Sequence, residues 1–256
     1  MLSVRAGLLC LALFVAGPLK AADGDLFIGQ IRVQDARAAS ADSPLLHYRI
    51  LHENPAGLQA RLAHWIDQPK PVEGGVAFSL RAYPVAAAPA AYEHHRAASF
   101  LIDYTEPVIQ ALAGPIEQRY GEQPSPGELE QFVHDYIVDK NSAHGFDVAS
   151  MVARSRAGDC TEHAVLLTAL LRMYGYPART VTGLYVSLEE PVLAYGHAWA
   201  EYYGDDGWRG LDGTRISHSV SAQHVPLGVV EDESIAYALG LIGTFQMFAI
   251  DRVIVE

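Results

Sequence analysis

The chain has 256 residues, with 18 Lys and Arg against 30 Asp and Glu and a formal net charge of −12. That length suits one large domain, or one domain with a modest extension. So acidic a chain is a poor match for nucleic acid or an anionic membrane surface, and both are set aside as partners.

Residues 1–22 read as a secretory signal peptide. Arg5 gives a basic start, Ala6–Leu19 is apolar, and Lys20-Ala21-Ala22 leads into polar Asp23-Gly24-Asp25. The run is short for a membrane span of about 20 residues. The expectation is a periplasmic or secreted protein with no stable membrane insertion after signal removal. Losing Arg5 and Lys20 would take the formal charge to about −14. The cysteine count then matters. The chain has two, Cys10 would leave with the leader, and Cys160 would remain alone. A lone thiol in an oxidising compartment cannot form an internal disulfide and is a liability unless it is used.

Residues 23–91 read as a β-rich N-terminal segment and linker. Leu26–Val33, Leu45–Leu51 and Val76–Tyr83 carry strand-like alternation, and Leu58–Trp65 is either a short helix or a further strand. The segment is either a small β-rich extension or a set of strands added to the main sheet. Val85–Ala91 resembles a linker. The main domain, 92–256, begins with helical patterns. Ile102–Tyr120 is one helix or two, interrupted by Pro107 and Pro115. Ser125-Pro126-Gly127-Glu128 is a capped helix start, and that helix runs through Leu129, Phe132, Val133, Tyr136 and Ile137. One turn of helix is expected around Val148–Val152.

Gly158 to Pro177 organises the rest. Cys160, His163, Ala164, Leu167, Leu171 and Tyr174 share one helical face, while Leu166, Leu170 and Met173 form a second apolar stripe, so the helix is buried on most sides. Asp159 or Thr161 can cap its start, Gly175 suits its C-terminal end, and Pro177 stops it. A thiol in a helix's first turn feels the positive end of the macrodipole, which favours the thiolate. Strands follow at Ala178–Ser187, Gly196–Tyr203 and Trp208–Asp212. The last two flank the hairpin turn Gly204-Asp205-Asp206-Gly207. Ile235–Ile250 is nearly all apolar, and Arg252–Val255 reads as a closing strand.

If Asp205-Asp206 is a two-residue turn, Gly204 pairs with Gly207 and Trp199 faces Asp212. His197, Trp199 and Asp212 then share a face, with His197 and Asp212 diagonal neighbours roughly 7–8 Å apart. This places a base beside a carboxylate that can orient it. A cysteine nucleophile needs both partners: an imidazole to take and return its proton, and an acid to fix the imidazole tautomer.

Gly-Asp-Cys-Thr-Glu-His-Ala at 158–164, then Gly-Tyr-Pro-Ala-Arg at 175–179, resembles the transglutaminase-like core of bacterial proteins. Gly196-His197-Ala198-Trp199-Ala200-Glu201 and Leu211-Asp212-Gly213-Thr214 resemble its second and third motifs, in the same Cys, His, Asp order. The clear similarity runs from about Ala149 to Thr214. The resemblance implies an α+β, papain-like transglutaminase core in which a helix bearing Cys160 packs on an antiparallel sheet bearing His197 and Asp212, with 92–256 as the catalytic domain. It also implies thiol acyl transfer on peptide or glutamine-type amides, without a cofactor. Hydrolysis is favoured over crosslinking, because water is always present and nothing marks an amine site. The alternative is a non-catalytic binding module in a cell-envelope assembly. The expected partner is a protein or peptide substrate, with an envelope protein as a further candidate.

Two departures stand out. The third motif ends Asp-Gly-Thr rather than the usual Asp-Pro-Thr, which should change the turn but spare the acid. No position matches the family's oxyanion-stabilising side chain, for which Asn141, Tyr136 and Gln131 are the candidates. His163 reads as a structural hydrogen-bonding residue. His94, His95, His134, His144, His218 and His224 read as scattered surface histidines, so no metal site is expected. Glu189-Glu190 and Glu231-Asp232-Glu233 read as solvated surface. Trp199 and Trp208 are candidates to wall the acyl pocket.

Overall fold

The computed structural model describes residues 30–36, 39–40, 42–81, 93–140, 147–215, 220–231, 233–234 and 250–256. Residues 1–22, expected to be a signal peptide, the linker-like stretch 85–91 and the apolar stretch 235–249 lie outside them.

In chain order the elements are β1 (Gln30–Gln34), β2 (Leu45–His52), α1 (Pro55–Leu62), β3 (Lys70–Val72), β4 (Gly75–Arg81), α2 (Pro107–Gln110), α3 (Ala113–Tyr120), α4 (Pro126–Tyr136), α5 (Ala149–Ser155), α6 (Cys160–Met173), β5 (Ala178–Ser187), β6 (Leu193–Gly204), β7 (Gly207–Leu211), β8 (His224–Val229) and β9 (Ile250–Val255). The fold is α+β. One sheet runs β3-β4-β2-β9-β1-β6-β5-β8, with β7 also paired to β6. Its ladders are antiparallel except that of β1 with β9.

The N-terminal strands are therefore added to the main sheet. β1 pairs with the start of β6 through Gln30↔Tyr195 and Arg32↔Leu193, and β9 lies between β1 and β2. The sheet curls enough for its distant strands to meet: the Tyr48 hydroxyl on β2 donates to the Ala222 carbonyl just before β8, at 2.7 Å. Leu58–Leu62 falls in helix α1, with turn from Ala63 to Trp65, because Asn54 caps the Gly57 N–H and Pro55 occupies the first turn. Its Leu58 and Leu62, with Trp65 beyond, fill the inside of the curl against β2, β4, β5, β8 and β9.

The second core is helical. The region forms two helices divided at Ala111-Leu112; Pro107 opens α2 and Pro115 lies in the first turn of α3, positions where a missing N–H costs nothing. α4 has the expected Ser125–Glu128 capping box. Its Leu129, Phe132, Val133 and the following Ile137 pack with α5 and α6 against β5–β7. α6 crosses β5 and β6, with Thr168 Oγ1 3.1 Å from Thr180 Oγ1. A strand at β8 is additional to the sequence expectations, and it carries His224 into the interior.

Candidate active site

The start of α6 is fixed by its own sequence. Asp159 is the N-cap, accepting from the Thr161 N–H at 2.9 Å, and Glu162 reaches back to the Asp159 N–H at 3.0 Å. Such a capping box stabilises a helix start by about 1 kcal/mol. Gly158 is required because its φ is +149° and a Cβ there would stand 2.2 Å from Glu162 Cβ. Cys160 is thus held at the first helical position, 8 % exposed and packed on Ala164 and on Ala198 of β6. Burial pushes the Glu162 carboxyl up to about 8, with the Asp159 charge acting in the same direction.

The hairpin has the register expected from sequence: Gly204 pairs with Gly207 and Ala200 with Leu211. Asp212 follows the last pair. His197 Nε2 lies 2.7 Å from Asp212 Oδ2, and the Cys160 side chain interacts with the same ring. The structure therefore brings Cys160, His197 and Asp212 together. Burial opposes charge on His197, but the Asp212 carboxylate and the two side-chain hydrogen bonds override it and push the imidazole up to about 10. Burial likewise opposes the Asp212 anion, yet His197 and the imidazole hydrogen bonds hold it well below the ordinary carboxylate range. The two directions agree on an imidazolium–carboxylate pair.

Every hydrogen bond at the Asp212 carboxylate comes from a donor. Oδ2 also lies 3.1 Å from His224 Nε2, while Oδ1 accepts from the Thr214 N–H at 2.9 Å and the Thr214 hydroxyl at 2.6 Å. The backbone is clamped from α4: the Asp212 N–H donates to Glu130 Oε1 at 2.6 Å, and His134 Nδ1 lies 2.8 Å from the Gly213 carbonyl. Gly213 replaces the usual proline where a Cβ would make ordinary contact with Val133 Cγ1, at 3.4 Å.

His224 and His95 are corrections to the reading of scattered surface histidines, since both are buried. His224 Nδ1 accepts the Ser221 N–H at 3.1 Å, so the neutral ring carries its proton on Nε2 and donates it to Asp212. Ligand-type atoms of His197, Asp212 and His224 lie within 4.8 Å of one another. Their donor states do not suit a cation, because His224 Nε2 bears a proton and moving it to Nδ1 would oppose the Ser221 N–H. Glu130 was also missed. Its signal was a carboxylate within the arc of α4 that holds Val133 and Ile137, and sequence reasoning passed over it.

The other candidates sort themselves. His163 has the structural role expected, its Nδ1 lying 2.6 Å from the Asp159 carbonyl. The Tyr136 hydroxyl donates to the Ala153 carbonyl and the Gln131 amide to Asp135, while Asn141 lies outside the described residues. Trp199 packs against His224 with ring centroids 5.5 Å apart. Trp208 stacks under Arg179, whose guanidinium is 4.1 Å from the ring and pairs with buried Glu201. Glu233 is not solvated surface: it forms a two-pronged pair with Arg172 of α6, at 2.6 and 2.8 Å. Among the described residues no helix is long and apolar enough to cross a membrane.

Residues 114–213 match the core of the transglutaminase-like superfamily. That stretch includes Cys160, His197 and Asp212, so about two fifths of the chain is similar to the transglutaminase-like core, and the α+β fold is consistent with it. Among solved structures, a candidate cysteine protease from Cytophaga hutchinsonii aligns at 20 % identity and a TM-score of 0.44, over 60 % of this chain and 55 % of that one. The periplasmic domain of TgpA from Pseudomonas aeruginosa, bound to ethylmercury, aligns at 22 % identity and a TM-score of 0.37, over 55 % of each chain. The alignment thus spans about half the length of either. None of the curated proteins is significantly similar in sequence.

Proposed function

We propose that the protein is an exported thiol enzyme that forms an acyl-enzyme on a peptide or glutamine-type amide and passes the acyl group to water. The observation that carries this reading is the 2.7 Å contact of His197 with Asp212 beside a cysteine at the first position of a helix. With the thiol proton already resting on His197 as imidazolium, the Cys160 thiolate attacks the amide carbonyl. The Cys160 backbone N–H has no partner within its own helix and faces the developing oxyanion. As the intermediate collapses, the C–N bond breaks and the leaving amine takes the proton from His197. Water then attacks the thioester, giving a proton to His197 that returns to the departing sulfur. Asp212 holds the imidazole throughout. The leader-like residues 1–22 support export to the periplasm or medium.

The test is to incubate the full-length protein and its Cys160→Ala variant with glutamine-bearing peptides and a labelled amine, followed by mass spectrometry. Cysteine-dependent cleavage or deamidation, with an acyl adduct on Cys160, is the expected result. Cysteine-dependent label incorporation would instead assign an amine acceptor. Identical behaviour of the two proteins, with no adduct, would favour a binding module.

A further inference from the structure

We infer that His224 is a positioning residue of the reaction, a second imidazole that holds the carboxylate of Asp212 on His197. The inference rests on the proposed thiol mechanism, in which His197 must keep one orientation while its proton comes and goes.

Three observations carry it. First, both imidazoles lie on the same carboxylate oxygen, at 2.7 Å for His197 and 3.1 Å for His224. An oxygen held between two N–H donors cannot swing away from either without losing one. Second, the His224 tautomer is set from behind. The Ser221 N–H donates to Nδ1 at 3.1 Å, and the Ser221 hydroxyl lies 3.4 Å from the same atom. The ring is therefore an Nε2–H donor, and its buried setting favours the neutral form. Third, the ring has no freedom to rotate. It is fully buried, with Tyr185 edge-on at 5.0 Å on one side and Trp199 edge-on at 5.5 Å on another. Trp199 in turn lies nearly parallel to His197, 6.3 Å away on the same strand.

A buried histidine in a core usually finds a backbone partner. This one is braced by the backbone on one nitrogen and spends the other on the acid of the triad. The consequence is chemical as well as geometric. A carboxylate oxygen that already accepts one neutral N–H is a weaker base, so the proton shared with His197 stays on the imidazole. The charged and titratable groups around this array are Asp212 at the end of β7, His197 on β6, Cys160 on α6 and Arg215 beyond Asp212. Tyr185 of β5 also faces the array, with the Arg215 guanidinium 4.1 Å above its ring.

The experiment compares full-length wild type with His224→Gln, His224→Leu and His197→Ala. Gln can present an N–H donor to Asp212, whereas Leu fills the space without one. The readouts are the rate of Cys160 alkylation by iodoacetamide near about pH 6 and the NMR titration midpoint of the His197 ring. His224→Leu should slow alkylation at least about fivefold and raise the His197 midpoint by about half a unit, with His224→Gln close to wild type on both. A folded His224→Leu protein with an unchanged rate and midpoint would overturn the inference. So would a His224→Gln protein as impaired as His224→Leu. If His197→Ala also alkylates at the wild-type rate, the thiol mechanism itself fails, which separates the two ideas. Should His224→Leu not fold, ring nitrogen shifts of wild type decide: a neutral Nε2–H ring between about pH 5 and 9 supports the inference, and an Nδ1–H or charged ring refutes it.

Discussion

Glu130 accepts the backbone N–H of Asp212 at 2.6 Å, across the boundary between α4 and the end of β7. The bond fixes where the carboxylate leaves the hairpin, and it is made by a buried acid. Glu130→Gln preserves the accepting oxygen and should keep Cys160 alkylation within about twofold of wild type. Glu130→Ala leaves a buried N–H without a partner, at a cost of about 1–3 kcal/mol, and should slow alkylation as Asp212 loosens. Urea unfolding and iodoacetamide kinetics on the two variants check this.

Glu130 also sets a pH dependence. Burial lifts its carboxyl from 4.5 to about 7, with the Asp212 charge adding to the rise and the Asp212 N–H opposing it. A raised carboxyl binds its proton more tightly when folded, so its contribution is complete below about pH 4.5 and is lost as pH climbs through about 7. The stability difference between Glu130→Gln and wild type should therefore shift in favour of the variant from about pH 5 to about pH 8. Urea midpoints at both pH values measure it, and a constant difference would contradict the expectation.

Asp212→Asn is predicted to be far worse than its near-identical shape suggests. Both carboxylate oxygens accept only from donors: two imidazoles on one side, the Thr214 N–H and hydroxyl on the other. Whichever way an amide turned, its NH2 would face donors. The variant should lose about 2–4 kcal/mol of stability and slow alkylation by at least about a hundredfold. Thermal melts and alkylation rates give the answer.

Gly183 lies opposite His197 in the β5–β6 ladder. A Cβ there would stand 2.1 Å from the Val225 carbonyl oxygen and 2.8 Å from Trp199 Cη2. Gly183→Ala should force β8 away from β5, carrying His224 off Asp212, and cost more than about 3 kcal/mol. A Tm within a few degrees of wild type would refute this close packing.

The parts of the site visible in the sequence were those fixed by local rules. The Asp159 cap, the position of Cys160 and the turn at Asp205-Asp206 each depend on a few neighbouring residues, and the hairpin register then placed Asp212 near His197 by counting. What was missed depends on long-range packing. β8 contains Pro226 and Gly228, which weaken any strand pattern, and its value to the site comes from lying beside β5. Glu130 sits among apolar residues of α4, but its partner is a backbone amide 82 positions away. Glu233 read as one of a run of surface acids until Arg172 was found beside it.

β9 has its own consequence for how the molecule is made. It lies between β1 and β2, both of which leave the ribosome more than about 190 residues earlier. Neither neighbour can complete its ladder until β9 has been made, so the curled half of the sheet has to wait, partly unzipped, for that strand. Because β1 also supports the start of the His197 strand, assembly of the reactive centre is coupled to that late event. A nascent or truncated chain lacking Ile250–Val255 should therefore hold its thiol next to an unsteady base, and the chain that includes β9 should fold slowly for its size.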